Sequence, residues 1–115
     1  MSSRKDTSGV FARRLKSARQ AVGLTQFGLG VSAGIDEYSA SPRINQYERG
    51  VHIPDQGTSL RLAKALDVPL SYLFEPNEQL AEFILLAAKL TKDDLKKLTS
   101  YLREALGERS DLRSD

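Results

Sequence analysis

Apolar residues recur along this chain at helical spacing, and each stripe starts or stops at a recognisable helix signal. Phe11, Leu15, Ala18 and Val22 follow one another at intervals of four, three and four, which makes them the inward face of a helix that Ser8 can cap. Arg13, Arg14 and Lys16 fall on its opposite face. Thr25 opens a second, short helix as an N-cap, and Gly34 closes it. Ser41-Pro42 sets a capping hydroxyl before a proline at the first helical position, which predicts a third helix running through Arg49 and stopping at Gly50. A fourth helix, Thr58 to Asp67, turns Leu60, Leu62, Ala63 and Leu66 inward. Val68-Pro69 breaks it, and Leu70 to Phe74 form a short fifth helix. Five helices with short connections predict an all-α domain over residues 9–75, preceded by a loose basic tail, residues 1–8.

Glu75-Pro76-Asn77 marks the expected domain boundary. Beyond it Leu80, Phe83, Ile84, Ala87 and Leu90 make one stripe. Thr91, followed three residues later by Asp94, announces a further helix carrying Leu95, Leu98, Leu102 and Leu106. Two neighbouring amphipathic helices predict a hairpin over residues 78–106 that cannot bury both stripes alone. It packs on the five-helix domain or meets the same hairpin of a second copy. Leu80, Phe83, Ile84, Ala87, Leu95, Leu98, Leu102 and Leu106 are therefore the candidate dimerisation residues. Residues 107–115 read as a polar tail.

The third helix carries the candidate chemistry. Ile44 and Tyr47 share one face, while Arg43, Asn45 and Gln46 point elsewhere. Arginine, asparagine and glutamine carry the forked donors and acceptors that match base edges in the major groove. A short helix, a turn and a second helix with an apolar back and a polar front give a helix-turn-helix. Ser41, Arg43, Asn45 and Gln46 are the candidate base-reading residues. Gln26, at the start of the second helix, is placed for a phosphate, and Arg13, Arg14 and Arg49 are further phosphate candidates.

An ordered set of short motifs resembles the phage-repressor-like helix-turn-helix transcriptional regulators, also called the xenobiotic-response-element family. The set runs Arg14-Leu15-Lys16, Gly23-Leu24-Thr25-Gln26, Leu29, Ala33-Gly34, Ile44, Gln46-Tyr47-Glu48-Arg49-Gly50 and Pro54. It ends with Leu62-Ala63-Lys64-Ala65-Leu66 and Leu70-Ser71-Tyr72-Leu73-Phe74, spanning about two thirds of the chain. The resemblance implies a five-helix repressor-like DNA-binding domain, a DNA-contacting Gln26, and a Glu48 paired with a basic residue of the first helix, for which Arg14 is the choice. Between Gly34 and Tyr47 the chain is longer by about four residues than the family's turn, the excess lying in Ile35 to Ala40. Gly30 stands where the family has alanine, which implies close approach of the next helix. Phe27 and Val31 stand where the family is polar, and Tyr38 of the lengthened turn is expected to cover them, with a helix from residues 78–106 as the second candidate.

Composition narrows the classes. The chain has 115 residues, no cysteine and a single histidine, His52, in a loop. With no glycine-rich phosphate loop either, no catalytic, cofactor-binding or metal-binding residue is assigned, and the chain is not expected to be an enzyme. No apolar run approaches membrane-spanning length and no signal peptide is visible, so a cytoplasmic, nucleoid-associated protein is expected. The net charge of +2 is uneven: residues 1–20 set six basic side chains against Asp6 alone. Such a segment beside a helix-turn-helix suits a phosphate backbone. The expected function is a sequence-specific regulator, a repressor, that binds double-stranded DNA as a homodimer. The alternatives are an antitoxin-like regulator that also binds a partner protein, and a protein-interaction module on the same scaffold.

Overall fold

The apolar spacing places most of the helices where they form, and misplaces the ends of two. The computed structural model describes residues 3–107, with side chains from Gly9 onward. Among these residues the helices are α1 (Ser3–Ala21), α2 (Gln26–Ser32), α3 (Glu37–Glu48), α4 (Gln56–Leu66), α5 (Leu70–Phe74), α6 (Glu78–Ala87) and α7 (Lys92–Ala105). Residues 108–115, read as a polar tail, lie outside the described part.

Helix α1 begins at Ser3, so Ser8 lies inside it and does not cap it. The segment contains no proline, and a helix nucleated by a buried stripe extends at little cost through such residues. Phe11, Leu15 and Ala18 are buried as expected, whereas Val22 is half exposed. Val22 follows the last helical residue, in a turn where Gly23 takes a φ of +75° and Leu24 N–H returns to the Arg19 carbonyl at 3.1 Å. In α4 the polar Ser59 takes the inner position of its turn and Leu60 is left exposed, contrary to its expected inward face.

The core joins Phe11 and Leu15 of α1 to Leu29 of α2, Ile44 of α3, Leu62 and Leu66 of α4, and Leu73 of α5. Each of these large side chains is fully buried, a burial that contributes about 1.5–3 kcal/mol per side chain. The Phe11 and Phe74 rings lie 5.2 Å apart and close the α1–α5 side.

The expected boundary at Glu75–Asn77 is a real break between helices, with Asn77 Oδ1 accepting the Leu80 N–H at 2.7 Å, but the compact unit continues past it to Leu85. Helix α6 turns its Ala81 into the core, and Ile84 and Leu85 pack partly against it. Ile84 is thereby engaged by its own domain and does not stand free for a second copy. Leu80 and Phe83, on the other side of α6, remain exposed.

The second unit starts at Leu86 and contains α7. The expected cap forms: Thr91 Oγ1 accepts the Asp94 N–H at 3.0 Å. Helix α7 has no buried residue; Leu95, Leu102 and Leu106 are exposed and Leu98 is partly covered. Among the described residues, no helix is long and apolar enough to cross a membrane.

Candidate nucleic-acid interface

Helices α2 and α3 make the candidate interface. Thr25 caps α2, its hydroxyl accepting the Gly28 N–H at 2.9 Å. Past the C-cap Ala33, Gly34 takes a φ of +85° and lets the Ile35 N–H return to the Gly30 carbonyl at 2.9 Å. Asp36 then caps α3, accepting the Tyr38 N–H at 3.0 Å. The third helix therefore begins at Glu37 and not at Ser41-Pro42. The additional residues lengthen the front of α3 by about a turn and leave the connection short.

Pro42 consequently sits inside α3. It has no N–H to give the Tyr38 carbonyl, and this missing bond falls in the exposed first turn of the helix, where Tyr38 is 94% exposed. The same exposure overturns the expectation that Tyr38 covers Phe27 and Val31, both of which stay exposed on α2. An early helix start carries Tyr38 onto the outward side of α3, away from α2. Gly30 behaves as expected: a Cβ there would meet Ala40 Cβ at 2.7 Å and its Cα at 2.9 Å, so the two helices touch at their backbones.

Ala40, Ile44 and Tyr47 are the buried stripe of α3. Tyr38, Pro42 and Asn45 are each displaced from it by two residues, about 200° around the helix, and Arg49 extends their line. This is the outward face. Ser41 and Gln46 flank it, half buried, while Arg43 is exposed next to Ile44, about 60–70° from the core direction and about 200° around the helix from Asn45. Arg49 is exposed at the helix end.

A polar network fixes α3 against α1 and α2. Arg19, at the end of α1, donates from Nε to Glu48 Oε2 at 2.6 Å and from Nη2 to Oε1 at 3.1 Å, and from Nη1 to the Leu24 carbonyl at 2.8 Å. The two side chains are 13% and 3% exposed. The hydrogen bond to Glu48 holds the Arg19 pKa above its ordinary value, outweighing the opposing effect of burial. Gln26 Nε2 donates to Glu48 Oε1 at 3.1 Å and to Asn45 Oδ1 at 3.3 Å.

The partner of Glu48 is thus Arg19 and not Arg14, five positions along α1. Arg14 is 5% exposed, so it is also removed from the phosphate candidates. Its Nε and Nη2 donate to the Glu75 carbonyl at 2.9 and 2.7 Å, its Nη1 meets Glu78 at 3.0 Å, and its guanidinium lies 5.6 Å from the Tyr72 ring centre. Arg13 and Lys16 remain exposed on α1. Arg19 went unassigned in the sequence because Arg14 and Arg19 are both basic residues of one helix and only the packed faces tell them apart.

The helix-turn-helix family model matches residues 15–73, from the core of α1 to the end of α5. The chain belongs to the xenobiotic-response-element-type helix-turn-helix family. A solved structure, described as the crystal structure of transcriptional regulator BswR, is similar to this helix-turn-helix chain over 84% of its length and 96% of the other. Sequence identity between them is 45% and the TM-score 0.80. No curated protein sequence matches the chain.

Proposed function

We propose that this chain is a sequence-specific regulator of transcription that binds double-stranded DNA, with α3 in the major groove, and acts as a homodimeric repressor on a pseudo-palindromic operator. The observation that carries the reading is the amide pair on the outward side of the motif. Gln26 donates to Asn45, and among the described residues the Gln26 carbonyl oxygen and the Asn45 amide nitrogen have no protein partner. The pair can offer one acceptor and one donor side by side, the complement of an adenine edge or of a phosphate next to a base. Arg49, one turn on from Asn45, stands beside it for a guanine or the backbone, Ser41 and Gln46 line its flanks, and Arg43 would reach a guanine from another side of α3, about 200° around the helix from Asn45.

Two features support the dimer. One domain reads few base pairs, and phosphate contacts alone bind weakly and salt-dependently. Helix α7 and its C-cap carry Leu95, Leu98, Leu102 and Leu106 with none of them buried; the equivalent segment of a second copy would cover them. A copy bound over a promoter would repress by exclusion.

Selection of duplexes from a random pool by the full chain tests the reading. Enriched sites should be inverted repeats with half-site centres about one helical turn apart, 10–10.5 base pairs. Failure to enrich any sequence, with no duplex bound at low salt, would refute DNA binding and favour a protein-interaction role. Sedimentation should show a dimer for the full chain and a monomer for Leu98→Asp/Leu102→Asp, which leaves every buried residue in place. The variant should lose about 10²-fold or more on the selected site through lost avidity.

A further inference from the structure

We infer that the additional turn at the front of α3 makes an apolar reading surface, in which the Tyr38 and Pro42 rings contact the 5-methyl groups of thymines in the operator. The inference rests on the proposal that α3 enters the major groove. Tyr38 is 94% exposed, so its ring does nothing for the fold. Its N–H is taken by Asp36, which fixes the first turn of the helix and leaves the side chain free. Pro42, one turn further on, is also exposed. Residues four apart on a helix are surface neighbours, with Cβ atoms about 5–6 Å apart. The two rings therefore form one apolar patch on the face opposite Ala40, Ile44 and Tyr47, at the leading end from which such helices reach base edges.

The chemistry of that end narrows what it contacts. Asp36 and Glu37 directly precede Tyr38 at the start of α3, and two carboxylates repel a phosphate where a bare helix start would attract one. Pro42 has no side-chain donor or acceptor. A base edge in the major groove offers one apolar feature, the thymine methyl. Four residues of helix rise about 6 Å, close to two steps of about 3.4 Å along a DNA strand. The two rings thus suit thymines about two base pairs apart.

The test uses the full chain and the duplex enriched in the selection above. Each thymine is replaced singly by deoxyuridine, which removes the methyl and keeps every hydrogen-bonding group. For the wild type, one or two positions should lose about fourfold in affinity, the worth of one buried methyl. Tyr38→Ala should abolish the loss at one of them and Pro42→Ala at the other. Both variants should keep the wild-type melting midpoint or exceed it. Uniform binding of all deoxyuridine duplexes by the wild type, a methyl effect that survives in both variants, or an enriched site without thymine would overturn the inference while leaving DNA binding intact. Failure to enrich any duplex overturns both.

Discussion

Gly30 and Ala40 give the sharpest test of how α2 and α3 fit together. Replacing Gly30 by alanine puts a Cβ 2.7 Å from Ala40 Cβ, 2.9 Å from its Cα and 3.0 Å from its carbonyl oxygen. Two of these neighbours are backbone atoms and cannot rotate away. Two opposed effects then compete. Alanine is a better helix former than glycine by about 1 kcal/mol, whereas forcing a carbon into a filled core costs roughly 1–3 kcal/mol. Backbone must move, so the cost lies toward the top of its range and Gly30→Ala should lose about 1–2 kcal/mol net. At roughly 4–8 °C per kcal/mol for a domain of this size, the midpoint falls by a readily measured amount.

Ala40→Gly alone should cost about 1 kcal/mol in helix propensity and a little under 1 kcal/mol for the lost methyl. In the double variant the propensity terms cancel and the 2.7 Å contact is gone. It should be more stable than the sum of the single changes by about 1 kcal/mol, a positive coupling read from urea unfolding. If Gly30→Ala equals or exceeds the wild type in stability, α2 and α3 are not in backbone contact and the explanation of Gly30 is wrong.

Arg19→Ala should destabilise the fold by about 3–5 kcal/mol, because it strands the Glu48 carboxylate in a site from which water is nearly excluded; a loss below about 1 kcal/mol in urea unfolding would show that water screens the pair. Asp55, the cap of α4, is held below its ordinary pKa chiefly by the Thr58 backbone N–H. Its contribution is therefore complete above the ordinary carboxylate range and disappears as pH falls through the lowered value. Asp55→Asn should narrow its difference in melting midpoint from the wild type on acidification, and a constant difference would remove Asp55 from the acid limb. Arg43→Ala should cost about 1–3 kcal/mol on the selected site and less on a scrambled duplex at the same salt; equal losses would mean that Arg43 contacts the backbone.

The buried stripes were legible in the sequence because they are local. Phe11, Leu15 and Ala18, and Ile44 with Tyr47, follow helical spacing and meet the core as expected. Caps on Thr25 and Thr91 were legible for the same reason. The start of α3 was not, because Asp36 and Ser41 are both good caps, and a proline is commoner at a helix start than inside one. The choice was made by tertiary contact, when Ala40 docked on Gly30 and held the extra turn in helical form. Arg14 and Arg19 show the same limit. Both are arginines within one turn and a half of α1 and both are drawn inside, but only the packing of distant elements assigns their partners: Glu78 of α6 to Arg14 and Glu48 of α3 to Arg19.

That division of the arginines also bears on how the protein searches DNA. Of the basic side chains in the first 20 residues, Arg14 and Arg19 are held inside by carboxylates and backbone carbonyls. Their charges release no counterions from a duplex, so they add nothing to the general attraction that retains a protein on arbitrary sequence. Two more external arginines would deepen the non-specific reservoir that competes with the operator throughout a genome. By keeping these cations within its scaffold, the domain gives up grip on bulk DNA, which under the proposed function leaves a larger share of its molecules free to find an operator.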